Sequence, residues 1–289
     1  MILKPYIVAE IGANHLGSLE QAKHLISLAA TSGADCAKFQ KRTPHLCVPD
    51  YIKNQSHPNP DFAYGKTYLE HRIALELSIE QHAELKSYCD QWNIDYAASV
   101  WDEVSANEII SLKPKYIKIP SAMNTNFDLI DQILTRFDGD IHISFGMVAK
   151  DQFFSIWRWI TDQGVHKRVI PYHTTSIYPC PEKYLYLQQI SAMKKVRHPP
   201  FRIGFSSHTL NVNADVAALA LGANYFEHHF AISRNIRHTD ACVSLSPDEL
   251  ICLRKSLDAI SEAIIERPNN ISQKEEQEKS KLSYSKQKN

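Results

Sequence analysis

One stretch constrains the fold more than any other: residues 203–230, reading IGFSSHTLNVNADVAALALGANYFEHHF. Two short apolar runs, 202–205 and 225–229, flank a segment in which Val212, Val216, Leu219 and Ala220 recur at helical spacing. This predicts strand, helix, strand, with the strands parallel. A parallel crossover brings the carboxyl ends of both strands to one face, and neighbouring strands lie about 4.8 Å apart. His208, just past the first strand, and His229, at the end of the second, should therefore face one another. Convergent imidazoles beside Glu227 can hold a divalent metal. Alternatively, one ring is packed and the other solvated.

The same alternation runs through the chain. Strands are predicted at 6–10, 36–40, 96–99, 116–119, 141–144 and 168–173, ahead of the pair above. Helices fall at 19–32, 79–92, 102–112, 127–135, 152–162, 182–193 and, last, 247–266. Eight strands alternating with eight helices predict a single (β/α)8 barrel over residues 1–266. An open doubly wound sheet is the competing arrangement; it often carries a Gly-rich first turn, which this sequence lacks. Residues 41–77 form a long connection without sustained periodicity, the signature of a lid or binding loop. Residues 267–289 are polar and charged, and are expected to be a disordered tail.

Composition narrows the function. Lys+Arg and Asp+Glu are equal at 32 each, which argues against a nucleic-acid or membrane surface and for a small-molecule substrate. No apolar run approaches the roughly 20 residues that cross a bilayer. The opening MILKPYIVAEIG runs straight into a strand without a signal-peptide pattern, so a cytoplasmic protein is expected. Six cysteines without CxxC spacing read as buried free thiols.

In such a barrel the chemistry sits at the carboxyl ends of the strands. The residues there are Glu10, Asn14 and His15; Lys38 and Gln40; Ser99; Lys118 and Ser121; Ser144; His173, Thr174, Thr175 and Ser176; Ser206 and His208; and Glu227 and His229. Ammonium groups pointing into a barrel mouth are costly unless an anion or carboxylate meets them. Lys38 and Lys118, with several hydroxyls, suit a phosphate and a carboxylate on one small molecule. A Schiff-base lysine aldolase also places a lysine at a strand end, but has no use for the imidazole pair.

These residues carry a family resemblance. The segment IVAEIGANHLGSLEQAKHLISLAATSGADCAKFQK resembles the opening of the sialic acid synthase family. TYLEHR, ASVWDE, KIPSAMNTNFDLI, SFGM, HTTSIYPCP, GFSSHT, ALGANYFEHHF and DACVSL follow in the family's order, so the resemblance covers nearly all of residues 5–250. It implies a metal-dependent barrel that condenses phosphoenolpyruvate with a sugar aldehyde, an N-acylhexosamine or a related sugar. The products are a 3-deoxy-2-keto sugar acid and phosphate.

By resemblance, Lys38, Ser99, Lys118, Ser121, Ser144 and Ser206 match phosphoenolpyruvate contacts, and His208 and His229 match metal ligands for Mn2+ or Mg2+. Glu10, Gln40, Tyr178 and Asp240 match positions near the sugar or the reacting centre, with Glu10 a candidate for orienting water or handling a proton, or for pairing with Lys38. Arg72 and His71 belong to the connection that can close over the site. The sequence departs from the family at Met123, where a glutamate is usual, at Ser207, where SDHT reads SSHT, and at Ser176, where asparagine is common. Bacterial members generally continue into an antifreeze-like domain that reaches across a dimer. The resemblance therefore implies a homodimer, with that domain supplied by a separately encoded chain. The alternative function is a non-catalytic barrel that partners a full-length synthase.

Overall fold

The computed structural model describes residues 4–196 and 202–282. Eight parallel strands close into a barrel in chain order: β1 (Tyr6–Gly12), β2 (Cys36–Lys41), β3 (Asp95–Val100), β4 (Tyr116–Ile119), β5 (Asp140–Ser144), β6 (Val169–Thr174), β7 (Gly204–Ser207) and β8 (Tyr225–His229). The closure is β8 against β1, which sets Glu10 beside His229. The expected (β/α)8 barrel is therefore the observed one.

Helix α1 (Leu19–Thr31) follows β1. The long connection after β2 holds three short helices, α2 (Pro44–Cys47), α3 (Asp50–Lys53) and α4 (Tyr68–Ala74), before α5 (Ile79–Gln91) leads into β3. Then come α6 (Glu103–Ser111), α7 (Phe127–Arg136), α8 (Lys150–Asp162), α9 (Gln188–Met193), α10 (Asn213–Leu221) and α11 (Pro247–Ala263), each after its strand. Capping chemistry sets several of the starts. The side chains of Ser78, Asp102 and Ser246 each accept the backbone N–H three residues on, in reciprocal capping boxes. α7 shows the patterning plainly, burying Leu129, Ile130, Ile133 and Leu134 on one face against the barrel.

Four local expectations need correction. The 41–77 connection is not an irregular loop, because Thr67 and Glu70 form a capping box that starts α4. The helix expected over 182–193 is a 3-10 turn at Glu182–Tyr184 followed by α9, with Tyr186 between them at a left-handed φ of 48°. α10 buries Ala214, Asp215, Ala218 and Leu219, whereas Ala220 is exposed. The tail, expected to lack structure, carries helix α12 (Gln273–Leu282). Ser272 caps it through the Glu275 N–H at 3.1 Å, and Lys281 pairs with Glu278 at 2.7 Å, so local contacts account for the helix. No residue of α12 is buried, and residues 283–289 of the tail expectation lie outside the described residues.

The cysteines are all free, but Cys242 and Cys252 are exposed rather than buried. No helix among the described residues is long and apolar enough to cross a membrane.

Strand alternation separates two cores. Outward residues such as Ile7, Phe39, Ile117 and Phe226 pack beneath the helices. Inside the barrel, below the mouth, aromatic side chains form a floor. The Tyr116 and His142 rings stack at 3.5 Å between centroids, and His142 Nδ1 lies 2.9 Å from the Tyr172 hydroxyl. Gly204 makes room for this floor, since a Cβ there would lie 2.4 Å from the Tyr172 ring.

Candidate active site

A layer of buried charge rests on that floor. Lys38 and Lys118, from β2 and β4, are each 1% exposed, so their ammonium groups depend on protein partners. Lys38 Nζ pairs with Glu10, donates to Ser99 Oγ at 2.9 Å and lies 3.6 Å from Glu227 Oε1. Lys118 Nζ donates to Glu227 Oε2 at 3.0 Å and sits 3.4 Å from the centroid of the Tyr172 ring, a cation–π contact. Gln40 Nε2 donates to Glu10 Oε1 at 2.6 Å, and Ser206 Oγ donates to Glu227 Oε1 at 3.4 Å.

The lysines differ in character. Burial lowers the pKa of Lys118 to about 8 despite the nearby Glu227 carboxylate. For Lys38, burial acts the same way but Glu10 and Glu227 together outweigh it, raising the group above its ordinary value. Burial likewise opposes ionisation of Glu227, yet Lys118 and Lys38 win and hold it down to about 2. Glu227 therefore remains an anion bridging two cations.

Two chambers open above this layer. The smaller, about 100 Å³, is lined by the lysines, both glutamates and the hydroxyls of Ser99, Ser121, Ser144, Thr174, Ser176 and Ser206. The larger, about 480 Å³, lies toward the 41–77 connection and includes Arg42, Arg72, His238 and Asp240 in its wall. Gln40, Trp101, Tyr178 and His229 line both chambers, so they stand at the junction. The 41–77 connection is tied down on the β8 side, where Tyr64 Oη donates to the Arg237 carbonyl at 2.6 Å.

His208 and His229 face each other as their strand positions require, with ring centroids 5.7 Å apart. His208 Nδ1 donates to the Thr175 carbonyl at 2.9 Å, which leaves Nε2 with its lone pair. Burial, then the neighbouring His229 ring, lowers its pKa to about 3, so the ring is neutral. His229 Nδ1 is buried without a hydrogen-bond partner, 4.0 Å from Asp240 Oδ2. A neutral imidazole donor beside an orphaned ring nitrogen fits a divalent ion bound through these two histidines. Among the described residues no group of three or more His, Cys, Asp or Glu is arranged to hold one, so water or substrate oxygens would complete the shell.

The smaller chamber brings together Glu10, Lys38, Ser99, Lys118, Ser121, Ser144, Ser176, Ser206 and His208, while Arg72 and Asp240 line the larger one and Gln40, Tyr178 and His229 line both. Other members of the expected polar ring point elsewhere. Asn14 donates to the Phe230 carbonyl and to Ser244 Oγ, bracing the first loop against the last. His15 accepts the Gly17 N–H within its own turn, and Nε2 of His173 meets the Leu185 carbonyl at 2.6 Å. Glu227, read beside the imidazoles, instead serves the lysines. Met123 packs against the core and lines neither chamber. Ser207 is likewise buried, its hydroxyl 2.9 Å from that of Thr209.

Arg42 and Trp101 were not singled out from the sequence. Arg42 was legible in principle, because the alternation that turns Lys38 and Gln40 inward continues to it.

Fold and site together define a class: a (β/α)8 barrel whose mouth couples a small chamber lined by lysines, glutamates and hydroxyls to a second polar chamber. The NeuB family profile matches residues 25–267, and the chain belongs to the NeuB family. Among relatives, the N-acetylneuraminate-9-phosphate synthase of Drosophila melanogaster is 35% identical over 87% of this chain and 67% of its own length. The N,N'-diacetyllegionaminic acid synthase of Campylobacter jejuni is 31% identical over 90% of this chain and 78% of its own. The crystal structure of the N-acetylneuraminic acid synthetase of Leptospira borgpetersenii, in complex with citrate, shares the fold at 22% identity. Its TM-score is 0.81, over 97% of this chain and 93% of that one.

Proposed function

We propose that this protein is a carbon–carbon bond-forming transferase. It condenses phosphoenolpyruvate with a sugar aldehyde to give a 3-deoxy-2-keto sugar acid of the nonulosonate kind, plus phosphate. The observation that carries this reading is the junction. A small chamber lined by two lysines, two glutamates and a ring of hydroxyls meets a larger polar one across Gln40, Trp101, Tyr178 and His229, an arrangement that suits a two-substrate condensation.

Lys38 and Lys118 hold the phosphate and carboxylate of phosphoenolpyruvate, and the hydroxyls of Ser99, Ser121, Ser144, Ser176 and Ser206 donate hydrogen bonds to them. Carbon 3 of the enol then attacks the aldehyde carbon, and water adds at carbon 2 as phosphate leaves. Glu10, fixed by Lys38 and Gln40, is placed to orient that water or take its proton. Tyr178 packs 4.0 Å from the His208 ring and 6.0 Å from that of His229, between centroids, and helps close the reacting centre against solvent. His208 and His229 would hold a divalent ion, Mn2+ or Mg2+, which when bound supplies Lewis acidity toward the aldehyde oxygen. Asp240 steadies His229 and contacts the acceptor.

The active form is proposed to be a cytoplasmic homodimer. At the lip of the smaller chamber Met147 is 69% and Tyr178 47% exposed, an apolar rim that a second chain would cover. Consumption of phosphoenolpyruvate with a panel of aldoses and N-acylhexosamines, with Mn2+ added and then chelated, tests the reaction. No consumption with any aldehyde would overturn it.

A further inference from the structure

We infer that Tyr172 is a positioning residue for this reaction: the face of its ring seats the Lys118 ammonium, keeps it charged and aims it at the phosphoenolpyruvate anion. This deepens the proposed condensation and rests on it.

Lys118 is short of partners. Among the described residues its buried ammonium pairs with one carboxylate, Glu227, at 3.0 Å. That carboxylate is shared, since Lys38 Nζ lies 3.6 Å and Ser206 Oγ 3.4 Å from its other oxygen. Lys38 has Glu10 and Ser99 besides. The second contact of Lys118 Nζ is the Tyr172 ring, whose centroid lies 3.4 Å away. An ammonium over an aromatic face is attracted by the negative charge there, most strongly where water is excluded. Tyr172 is itself fully buried and lines neither chamber, so it acts on substrate through the lysine.

Strand alternation builds this seat. On β6, Tyr172 stands two residues before Thr174, on the same inward face and one layer below the mouth. Lys118 pairs in register with His142 of β5, and its long side chain rises from that level over the ring to the chamber wall. The Tyr172 hydroxyl lies 2.9 Å from His142 Nδ1, and His142 stacks on Tyr116, so the ring is held in place. Burial, then the charge of Lys118, keeps His142 neutral, so the floor adds no positive charge beneath the lysine. Burial keeps Tyr172 and Tyr116 un-ionised as well. Against burial, Glu227 of β8 stays ionised beside the two lysines, and Lys38 of β2 stays charged beside Glu10 of β1 and Glu227. Of these groups, Lys118 is the one that changes charge near pH 8.

The test is calorimetric titration with phosphoenolpyruvate, from pH 6 to pH 9, of the Mn2+-supplemented protein, Tyr172→Phe and Tyr172→Leu. Losing the ring lowers the pKa of the lysine, because the contact favours the charged form. In Tyr172→Leu the fall in affinity should therefore come at least about one pH unit lower, and at pH 7.5 the dissociation constant should rise at least about threefold. Tyr172→Phe keeps the aromatic face and should follow the profile of the unaltered protein. In steady state Tyr172→Leu should raise the KM for phosphoenolpyruvate while the KM for the aldehyde stays within about twofold, a split that general loosening of the barrel would not give. If Tyr172→Leu does not fold, pentafluorophenylalanine at position 172 keeps the shape of Tyr172→Phe, strips negative charge from the face and should reproduce the shift. A profile unmoved in Tyr172→Leu or with the fluorinated ring, or moved equally in Tyr172→Phe, would overturn the assignment. So would failure of phosphoenolpyruvate to bind the unaltered protein. Binding without turnover on any aldehyde would overturn the condensation alone, and the binding profiles would still decide the role of Tyr172.

Discussion

The ammonium of Lys118 lies 3.0 Å from the Glu227 carboxylate, inside a barrel where both side chains are shut off from solvent. Breaking such a pair from one side leaves an uncompensated buried charge. Glu227→Gln should therefore lower the free energy of unfolding by about 3 kcal/mol, measured by urea denaturation. Glu227→Gln with unaltered stability would mean that the lysines find other partners.

The pKa of about 8 at Lys118 gives a pH dependence with a definite sign. A lysine binds anions in its protonated form, so phosphoenolpyruvate affinity should hold below pH 8 and fall as pH rises through it. Calorimetric titration from pH 6 to pH 10 checks this. In Lys118→Met the dissociation constant should be at least about tenfold higher and the fall near pH 8 should vanish.

Two glycines separate stability from activity. At Gly204 an added Cβ meets the Tyr172 ring at 2.4 Å, deep in the barrel floor. Gly204→Ala should cost about 2 kcal/mol by overpacking. At Gly146 the added Cβ would lie 2.6 Å from both Ser121 Oγ and Ser176 Oγ, at the chamber wall. Gly146→Ala should displace those hydroxyls, raising the KM for phosphoenolpyruvate several-fold while the melting temperature changes little. Thermal melts and steady-state kinetics on both variants test the contrast.

Helix α12 buries no residue, so removal of residues 267–289 should change unfolding free energy by less than about 0.5 kcal/mol. This also tests the proposed boundary of the catalytic domain at residue 266. A larger loss would show that the tail docks on the barrel.

Much of this site was readable because a parallel barrel converts strand position into spatial position. Lys38, Lys118, Ser99, Ser206 and His229 follow from strand ends and alternation alone, and His208 from one step beyond. Sequence could not say which charge would pair with which. Glu227 sits two residues before His229 and reads as part of an imidazole cluster; only the register of β8 against β7 and the reach of Lys118 across the barrel assign it to the lysines. Residues beyond strand ends were less predictable for the same reason. Asn14, in the loop after β1, is turned toward the Phe230 carbonyl and Ser244, whereas His173 lies inside β6, where alternation with Tyr172 and Thr174 sends it out of the mouth toward the Leu185 carbonyl. The helix in the tail rests on local Glu–Lys spacing, which the overall polarity of that segment conceals.

The imidazoles at the chamber junction are proposed to serve a condensation of phosphoenolpyruvate with an aldehyde. The direct measurement is phosphoenolpyruvate consumption with a reactive N-acylhexosamine or its phosphate, with and without Mn2+, by the unaltered protein and His229→Ala. Consumption that needs the aldehyde, stops on chelation, returns with Mn2+ and is lost in His229→Ala is the predicted result. Turnover in His229→Ala equal to that of the unaltered protein would contradict it.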